Sequence, residues 1–262
     1  RIARYLIEKS NGGGASADRI TLLRDKDGNG SVDETHVLLD KSNGLKSPIG
    51  MALVGDRFFI GNSDAVLAFP YKPGDTKIAG KGEKIVDLPH NLPNNHWTRN
   101  VIALPDGKTL LVTVGSNSNI AEGGMDAEKN RANILEVDIA SKKSRIYAYG
   151  LRNPTGLAME PINKVVWTTV NERDMLGSDG PSDYMATVDF GSFYGWPWYY
   201  WGKNKDRRVE QNRLDLFQYT KRPNYALGPH VAALGISFAQ TPALGENFAR
   251  GAFIGLHGSW NR

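Results

Sequence analysis

Three stretches of this chain repeat one pattern about fifty residues apart, and that repeat limits the folds open to it. "SPIGMALVGDRFFIGNSDAVLAFPY" holds an apolar strand, a Gly-Asp turn, a second strand ending in a polar slot, then a third strand. "TRNVIALPDGKTLLVTVGSNSN" does the same from Asn100, and "RNPTGLAMEPINKVVWTTVNERD" from Asn153. The strands at Gly50, Val101 and Gly156 are spaced by 51 and 55 residues. A fourth, longer version runs from "HVAALGISFAQ" to "GAFIGLHGSWNR". Units of about 40–50 residues with several strands each are the pattern of propeller blades. A β-sandwich also has strands at short intervals, but its repeats have no reason to end in the same polar loop.

The rest of the chain agrees with an all-β fold. Its apolar runs, such as "RITLLRD", "ILEVDI" and "SRIYAYG", are short and rich in β-branched and aromatic residues. The best candidate for a short helix or loop is "AEGGMDAEKNRANI". Gly and Pro supply 42 of 262 residues, a surplus that points to many turns. "GSFYGWPWYYWG" reads mainly as core packing. The abrupt ends, "RIARYLIEKS" and "FIGLHGSWNR", suggest one β-propeller domain over residues 1–262, truncated at both ends.

Several functions are disfavoured. A net charge of +4 with scattered basic residues offers no nucleic-acid stripe and no polybasic membrane patch, although it suits an acidic ligand. No apolar run approaches the roughly 18 residues of a membrane span. Without cysteine there is no disulfide, no thiolate nucleophile and no Cys-based zinc site. Motifs for phosphate-loop, serine-hydrolase and zinc-peptidase chemistry are missing from the sequence.

If the blades are radial, the polar slots "GNSD", "GSNSN", "NERD" and "HGSWNR" converge at one mouth of the channel, a common place for a ligand. His96 in "NNHWTRN" precedes an inner strand, where an imidazole is either structural or a base suited to neutral pH. Arg152 and Asn153 in "YGLRNPTGL" present a fork and an amide that suit carboxylate recognition, or else brace a turn. "NERDMLGSDGPSDY" carries Glu172, Arg173, Asp174, Asp179 and Asp183, which either ligate a hard cation or form local salt bridges. By symmetry, His230 and Arg262 belong near the same mouth.

"DKDGNGSVDETH" begins like the calcium loop of an EF-hand. Its twelfth position is His36 instead of Glu, and its flanks read as strands. A tight hairpin turn, with at most a structural ion on Asp25, Asp27 and Asn29, is the expectation.

The motifs "HW" with "DGKTLLVTVGSNSN", "YGLRNPTGL", "NERDMLGSDGPSDY", "FYGWPWYYWG" and "HGSWNR" stand in the same order as in the L-sorbosone and soluble aldose or glucose dehydrogenases. Over about residues 18–262 the chain resembles that family, most of all its sorbosone-dehydrogenase-like branch. The resemblance implies a six-bladed β-propeller, of which this chain holds about four blades plus partial strands. It also implies pyrroloquinoline quinone (PQQ) at the channel mouth with a calcium ion. A planar quinone with three carboxylates calls for Arg and Asn donors and a divalent cation.

By resemblance, His96 matches the general base that takes the sugar hydroxyl proton as hydride passes to the quinone. Arg152 and Asn153 match the pair on the cofactor's oxygens, and Arg262 a later cofactor-binding arginine. The segment Glu172, Arg173 and Asp174 matches the one whose backbone carbonyls hold the calcium. The implied partners are a sugar or aldehyde substrate, an external electron acceptor, and a second chain to complete the propeller. The implied location is the periplasm or outside the cell. Where the glucose-oxidising branch has Gly-Asp, this chain has Gly115-Ser116, so His96 is expected to be oriented differently or to be less basic. The rival readings are a non-catalytic binding propeller and a lactonase whose metal sits on Glu, Asn and Asp side chains.

Overall fold

The computed structural model of the protein describes residues 16–92, 94–210 and 212–259. Arg262, expected at the cofactor, lies outside the described residues. The first described element is a hairpin, β1 (Ile20–Arg24) and β2 (Glu34–Leu39). A four-stranded sheet follows, made of β3 (Met51–Val54), β4 (Arg57–Gly61), β5 (Ala65–Pro70) and β6 (Glu83–Asp87). The next sheet has β7 (Val101–Ala103), β8 (Thr109–Val114), β9 (Asn133–Asp138) and β10 (Ser144–Tyr149). The third starts with β11 (Asn153–Met159), β12 (Val166–Asn171) and β13 (Ser182–Thr187).

The chain then leaves the third sheet on an aromatic excursion with three short strands, β14 (Ser192–Phe193), β15 (Tyr199–Tyr200) and β16 (Asn204–Lys205). It returns as β17 (Tyr225–Pro229), the fourth strand of that sheet, and continues into a hairpin of β18 (Ala233–Phe238) and β19 (Ala252–Leu256). The described strand pairs are antiparallel except where β14 lies parallel to β10, and Phe193 also makes an isolated parallel bridge to Thr220.

The repeat read from the sequence is the repeat of the sheets: β3, β7, β11 and β18 each open a unit, and they pack against one another in that order. Hydrogen bonds stitch them together. Gly50 N donates to Arg99 O (2.9 Å), Asn100 Nδ2 to Thr155 O (3.0 Å), and Thr155 Oγ1 to Ala233 O (2.5 Å). Successive sheets meet face to face, so an inner strand is buried on both sides. In β8, Leu110, Val112 and Val114 pack toward the first four-stranded sheet, while Leu111 packs toward the third. That period-two split explains why "TLLVTV" reads as a nearly unbroken apolar run. Each fully buried Leu or Val there contributes about 1.5–3 kcal/mol.

Two local expectations are refined. The β1–β2 connection is a broad loop over residues 25–33 instead of a tight turn. The Asp25 carboxylate organises it by accepting from Gly28 N (2.8 Å) and Gly30 N (2.8 Å). Asp25, Asp27 and Asp33 each bring one oxygen within 4.8 Å of the others at the exposed tip. His36 sits on β2 beside Glu34, outside the loop. The "GGMDAEKN" segment contains one short 3-10 turn, Met125–Glu128. The aromatic excursion is core, as expected: Phe193, Trp198, Tyr199 and Leu216 form one buried cluster.

Candidate active site

One cavity of about 250 Å3 opens where the strand ends of the second, third and last units meet. Its walls include His96, Arg152, Asn153, Asn171, Glu172, Asp174, Asp183 and His230. The slots "NERD" and "HGS" therefore do converge there. "GSNSN" stands one layer behind, with Asn119 bonded to Arg152 and to Asp174. "GNSD" does not line the cavity; its Asp64 pairs with Lys46.

His96 lies in the run ahead of β7. Its Nδ1 is 2.8 Å from Ser116 O and 2.9 Å from Ser116 Oγ. A carbonyl can only accept, and the Ser116 hydroxyl spends its proton on Ser118 O (2.6 Å). Both atoms therefore act as acceptors, which places the proton on Nδ1 and leaves the Nε2 lone pair available. Ser116 thus does the orienting where the glucose-oxidising branch has an acid. Burial, then the guanidinium of Arg152, then those of Arg99 and Arg131, push the His96 pKa down to about 3. The imidazole is neutral at physiological pH, and as a base it is weaker than an ordinary histidine.

Close approach of backbone to the site requires Gly115. A Cβ there would lie 2.4 Å from Asn153 Oδ1 and 2.5 Å from the His96 Cβ. The loop after it is held by the buried Glu128, whose carboxylate accepts from Asn117 N, Ser118 N and Ser118 Oγ.

Arg152 and Asn153 stand at the start of β11, facing the end of β12. The Arg152 guanidinium is buried and donates to Asn119 O, Asn171 O, Glu172 O (2.8 Å) and Asp174 Oδ2 (3.0 Å). The carboxylate it meets is thus the protein's own Asp174, through one nitrogen, while the others go to backbone carbonyls. Asn153 donates to Asn171 Oδ1, while its own Oδ1 is buried without a partner.

The cation is expected on the backbone carbonyls of Glu172, Arg173 and Asp174, of which Glu172 O accepts from Arg152 and Asp174 O from Asn119 Nδ2; their side chains separate. Glu172 and Asp174 line the cavity, whereas the Arg173 side chain turns away into a buried ion pair with Asp206 of the excursion. Burial raises the Glu172 pKa to about 7 and also raises that of Asp183. Asp183 accepts from Glu172 N and Ala232 N (2.8 Å each), tying β13 to the segment before β18. His230 brings Nδ1 to 3.4 Å from Asp174 Oδ1 and donates from Nε2 to Gly177 O. His230 and Ala232 both have left-handed backbone (φ 54° and 50°), a strain common at functional sites.

Asn171 and Asn95 also line the cavity, and in the sequence they stand only inside the longer motifs "NERD" and "NNHWTRN". Nothing in their type separates them from loop asparagines, and only position distinguishes them. Arg99 and Arg131 likewise stand inside the stretches "NNHWTRN" and "AEGGMDAEKNRANI" without a mark of their own, and neither touches the cavity.

Sheets stacked about their first strands, with the polar loops "NERD" and "HGS" meeting at one rim, define an all-β protein with a candidate site built from strand ends. Residues 13–186 match the TrAA12-like family, well over half of the chain, and the chain belongs to that family. It is 23% identical over 165 residues to aldose sugar dehydrogenase YliI of Escherichia coli, covering 58% of this chain and 42% of that protein. It is 24% identical over 280 residues to a pyrroloquinoline quinone-dependent pyranose dehydrogenase of Coprinopsis cinerea, covering 90% and 37%. The PQQ domain of that pyranose dehydrogenase, solved in holo form, superposes with a TM-score of 0.74 at 21% identity, over 95% of this chain and 73% of that one. The Trichoderma reesei Carbohydrate-Active Enzymes Family AA12 protein superposes at 0.75 with 20% identity, over 93% and 69%. At these identities the structural likeness carries the fold. The chain spans between 37% and 59% of the length of the curated relatives it matches. Among the described residues no helix is long and apolar enough to cross a membrane.

Proposed function

We propose that this protein oxidises a sugar or sugar-derived aldehyde, passing hydride to PQQ with the help of a calcium ion. The observation that carries this reading is His96. Its Nδ1 is locked onto Ser116, so a free Nε2 lone pair stands in the same cavity as Arg152 and a set of oxygen donors. That lone pair would take the proton of the substrate hydroxyl (for an aldehyde, a hydroxyl of its hydrate) as hydride leaves the carbon that bears it.

The donor set suits the expected groups. Glu172, Asp174, Asp183, Asn153 and Asn171 offer only oxygen to a hard cation, and the Asn153 Oδ1 is buried and unpartnered. A cofactor with three carboxylates meets a single described guanidinium, Arg152, among three acidic side chains. A divalent cation would reconcile an acidic cavity with an acidic cofactor, and the Glu172–Asp174 segment would hold it. Bound there, the quinone supplies the hydride acceptor and the calcium the Lewis acid that polarises it. Arg152 stabilises negative charge developing beside it. Negative charge entering the cavity also offsets the guanidiniums around His96 and raises its basicity toward the working range. The proposal extends to an external electron acceptor and to a periplasmic or secreted location; relatives named as an aldose sugar dehydrogenase and a pyrroloquinoline quinone-dependent pyranose dehydrogenase support its sugar-oxidising part.

A second reading rests on the same donors. Glu172, Asp183, Asn153 and Asn171 could hold a catalytic metal directly for lactone hydrolysis. The test adds PQQ and calcium to the protein and follows quinone absorbance and dye reduction with aldoses and aldehydes. The expected result is a spectral change and turnover that His96→Ala abolishes without loss of PQQ binding. No spectral change and no dye reduction would sink the dehydrogenase reading, and lactone hydrolysis with metal alone would favour the second.

A further inference from the structure

We propose that Arg99 and Arg131 form a buried clamp of two guanidiniums that positions His96, making them positioning residues for the base. This inference rests on the reading of His96 as the base; its structural half stands without it.

Arg99 is fully buried, and Arg131 is 5% exposed. Arg99 reaches back from the start of β7. It donates from NH1 to His96 O (2.7 Å) and Thr98 O (2.9 Å), and from NH2 to Pro89 O (2.7 Å). Arg131, from the loop before β9, donates from NH1 to Asn94 Oδ1 (3.0 Å) and from NH2 to Asn91 O (3.4 Å). Asn94 Oδ1 also lies 3.5 Å from Arg99 NH2, so one amide oxygen is shared by both cations.

These bonds all go to the irregular run that carries His96. Among the described residues of 88–100 none belongs to a strand, and buried carbonyls without partners are costly. The two guanidiniums supply the missing donors. Burying a cation costs several kcal/mol unless its hydrogen bonds are well satisfied, so two buried arginines devoted to carbonyls and one amide mark a segment whose position matters. His96 is consequently fixed at two points, by its own carbonyl on Arg99 and by Nδ1 on Ser116. Arg99 carries the frame onward, because its carbonyl accepts from Gly50 N in the neighbouring sheet.

The clamp also acts through charge. With Arg152 on the cavity side, the charges of three guanidiniums disfavour the protonated imidazole, while Asp64 and Glu128 are the carboxylates that act on Arg99 and Arg131. Arginine is suited to this in a way lysine is not. A planar fork spans several carbonyls at once, whereas an ammonium is a point charge.

The test uses the full chain with 15N-labelled histidine and reads the His96 ring by NMR across pH, in the wild type and in Arg99→Met, Arg99→Lys and Arg131→Met. In the wild type His96 is expected as the Nδ1–H tautomer and unprotonated at pH 5. In Arg131→Met the ring is expected to populate both tautomers and to protonate at a pH about one unit higher, the size of one neighbouring charge. Arg99→Lys is expected to keep the low protonation pH but lose the single tautomer, which separates geometry from charge. Where PQQ-dependent turnover is present, kcat is expected to fall about 10–100-fold with KM little changed. Arg99→Met tests the stronger arm, and Arg131→Met remains informative if Arg99→Met does not fold. A His96 tautomer and protonation pH identical to wild type in folded Arg131→Met and Arg99→Lys would overturn the clamp. That readout is independent of turnover, so an inactive wild type would count against the proposed reaction and leave the clamp to the NMR result.

Discussion

Glu172→Gln is the substitution for which the structure yields a magnitude. Glu172 is 4% exposed, and burial holds its pKa at about 7 against an ordinary 4.5. Between those values the folded protein binds more protons than the unfolded chain. The stability this group contributes is therefore fully present at low pH and is lost as pH rises through 7. The difference between 4.5 and 7, at ~1.36 kcal/mol per pH unit, amounts to about 3 kcal/mol by pH 8. Glutamine keeps the shape and the oxygen that accepts from Arg173 N (2.8 Å), and it cannot ionise. Glu172→Gln is thus expected to be nearly neutral at pH 4.5 and more stable than wild type by up to about 3 kcal/mol at pH 8. The opposite dependence of His96, whose low folded pKa adds stability as pH rises from about 3 to 6.5, is common to both proteins and cancels. The assay is urea unfolding at the two pH values in the presence of a chelator. Repeating it with calcium is expected to stabilise the wild type at pH 8 and the variant much less. An equal stability difference at both pH values would refute the reasoning, because it would mean that Glu172 pays no desolvation cost in the fold.

Three further substitutions probe the frame of the site. Gly115→Ala places a methyl group against Asn153 and His96; a loss of about 1–3 kcal/mol in thermal or urea unfolding is expected, together with weaker PQQ binding by absorbance titration. Asp206→Asn leaves Arg173 buried without its charge partner and is expected to cost about 3–5 kcal/mol, whereas Arg173→Met with Asp206→Leu recovers most of that loss. Ser116→Ala removes the hydroxyl but keeps the carbonyl that faces Nδ1, so the Nδ1–H tautomer of His96 is expected to persist in its 15N spectrum.

The match between sequence and structure differs along the chain, for reasons that individual residues make plain. β8 was legible because its alternation is local: Leu110 and Leu111 point to opposite faces whichever sheets cover them. The same holds for the strand-turn-strand units beginning near Gly50, Val101 and Gly156, and for His96, Arg152, Glu172 and Asp174, which stand in recognisable motifs at strand ends. Arg173 was not legible. Its neighbours Glu172 and Asp174 face the cavity, but its own side chain goes to Asp206 across a 33-residue separation that no local pattern encodes. Arg152 reads from the sequence either as a fork for carboxylates or as a turn brace, and in the fold its guanidinium is given to Asn119, Asn171, Glu172 and Asp174.

The "DKDGNGSVDETH" loop shows the same division. Its turn-forming composition dictated a hairpin, while the gathering of Asp25, Asp27 and Asp33 came from the loop's closure. By itself the sequence determined the all-β class, the roughly fifty-residue unit and the polar rim, because strand period and turn chemistry act over a few residues. Only the tertiary structure decided which rim residues share one cavity, which way His96 presents its lone pair, and which arginines hold it there. Those outcomes depend on contacts between sheets, where burial and hydrogen-bond satisfaction are settled by residues far apart in the chain.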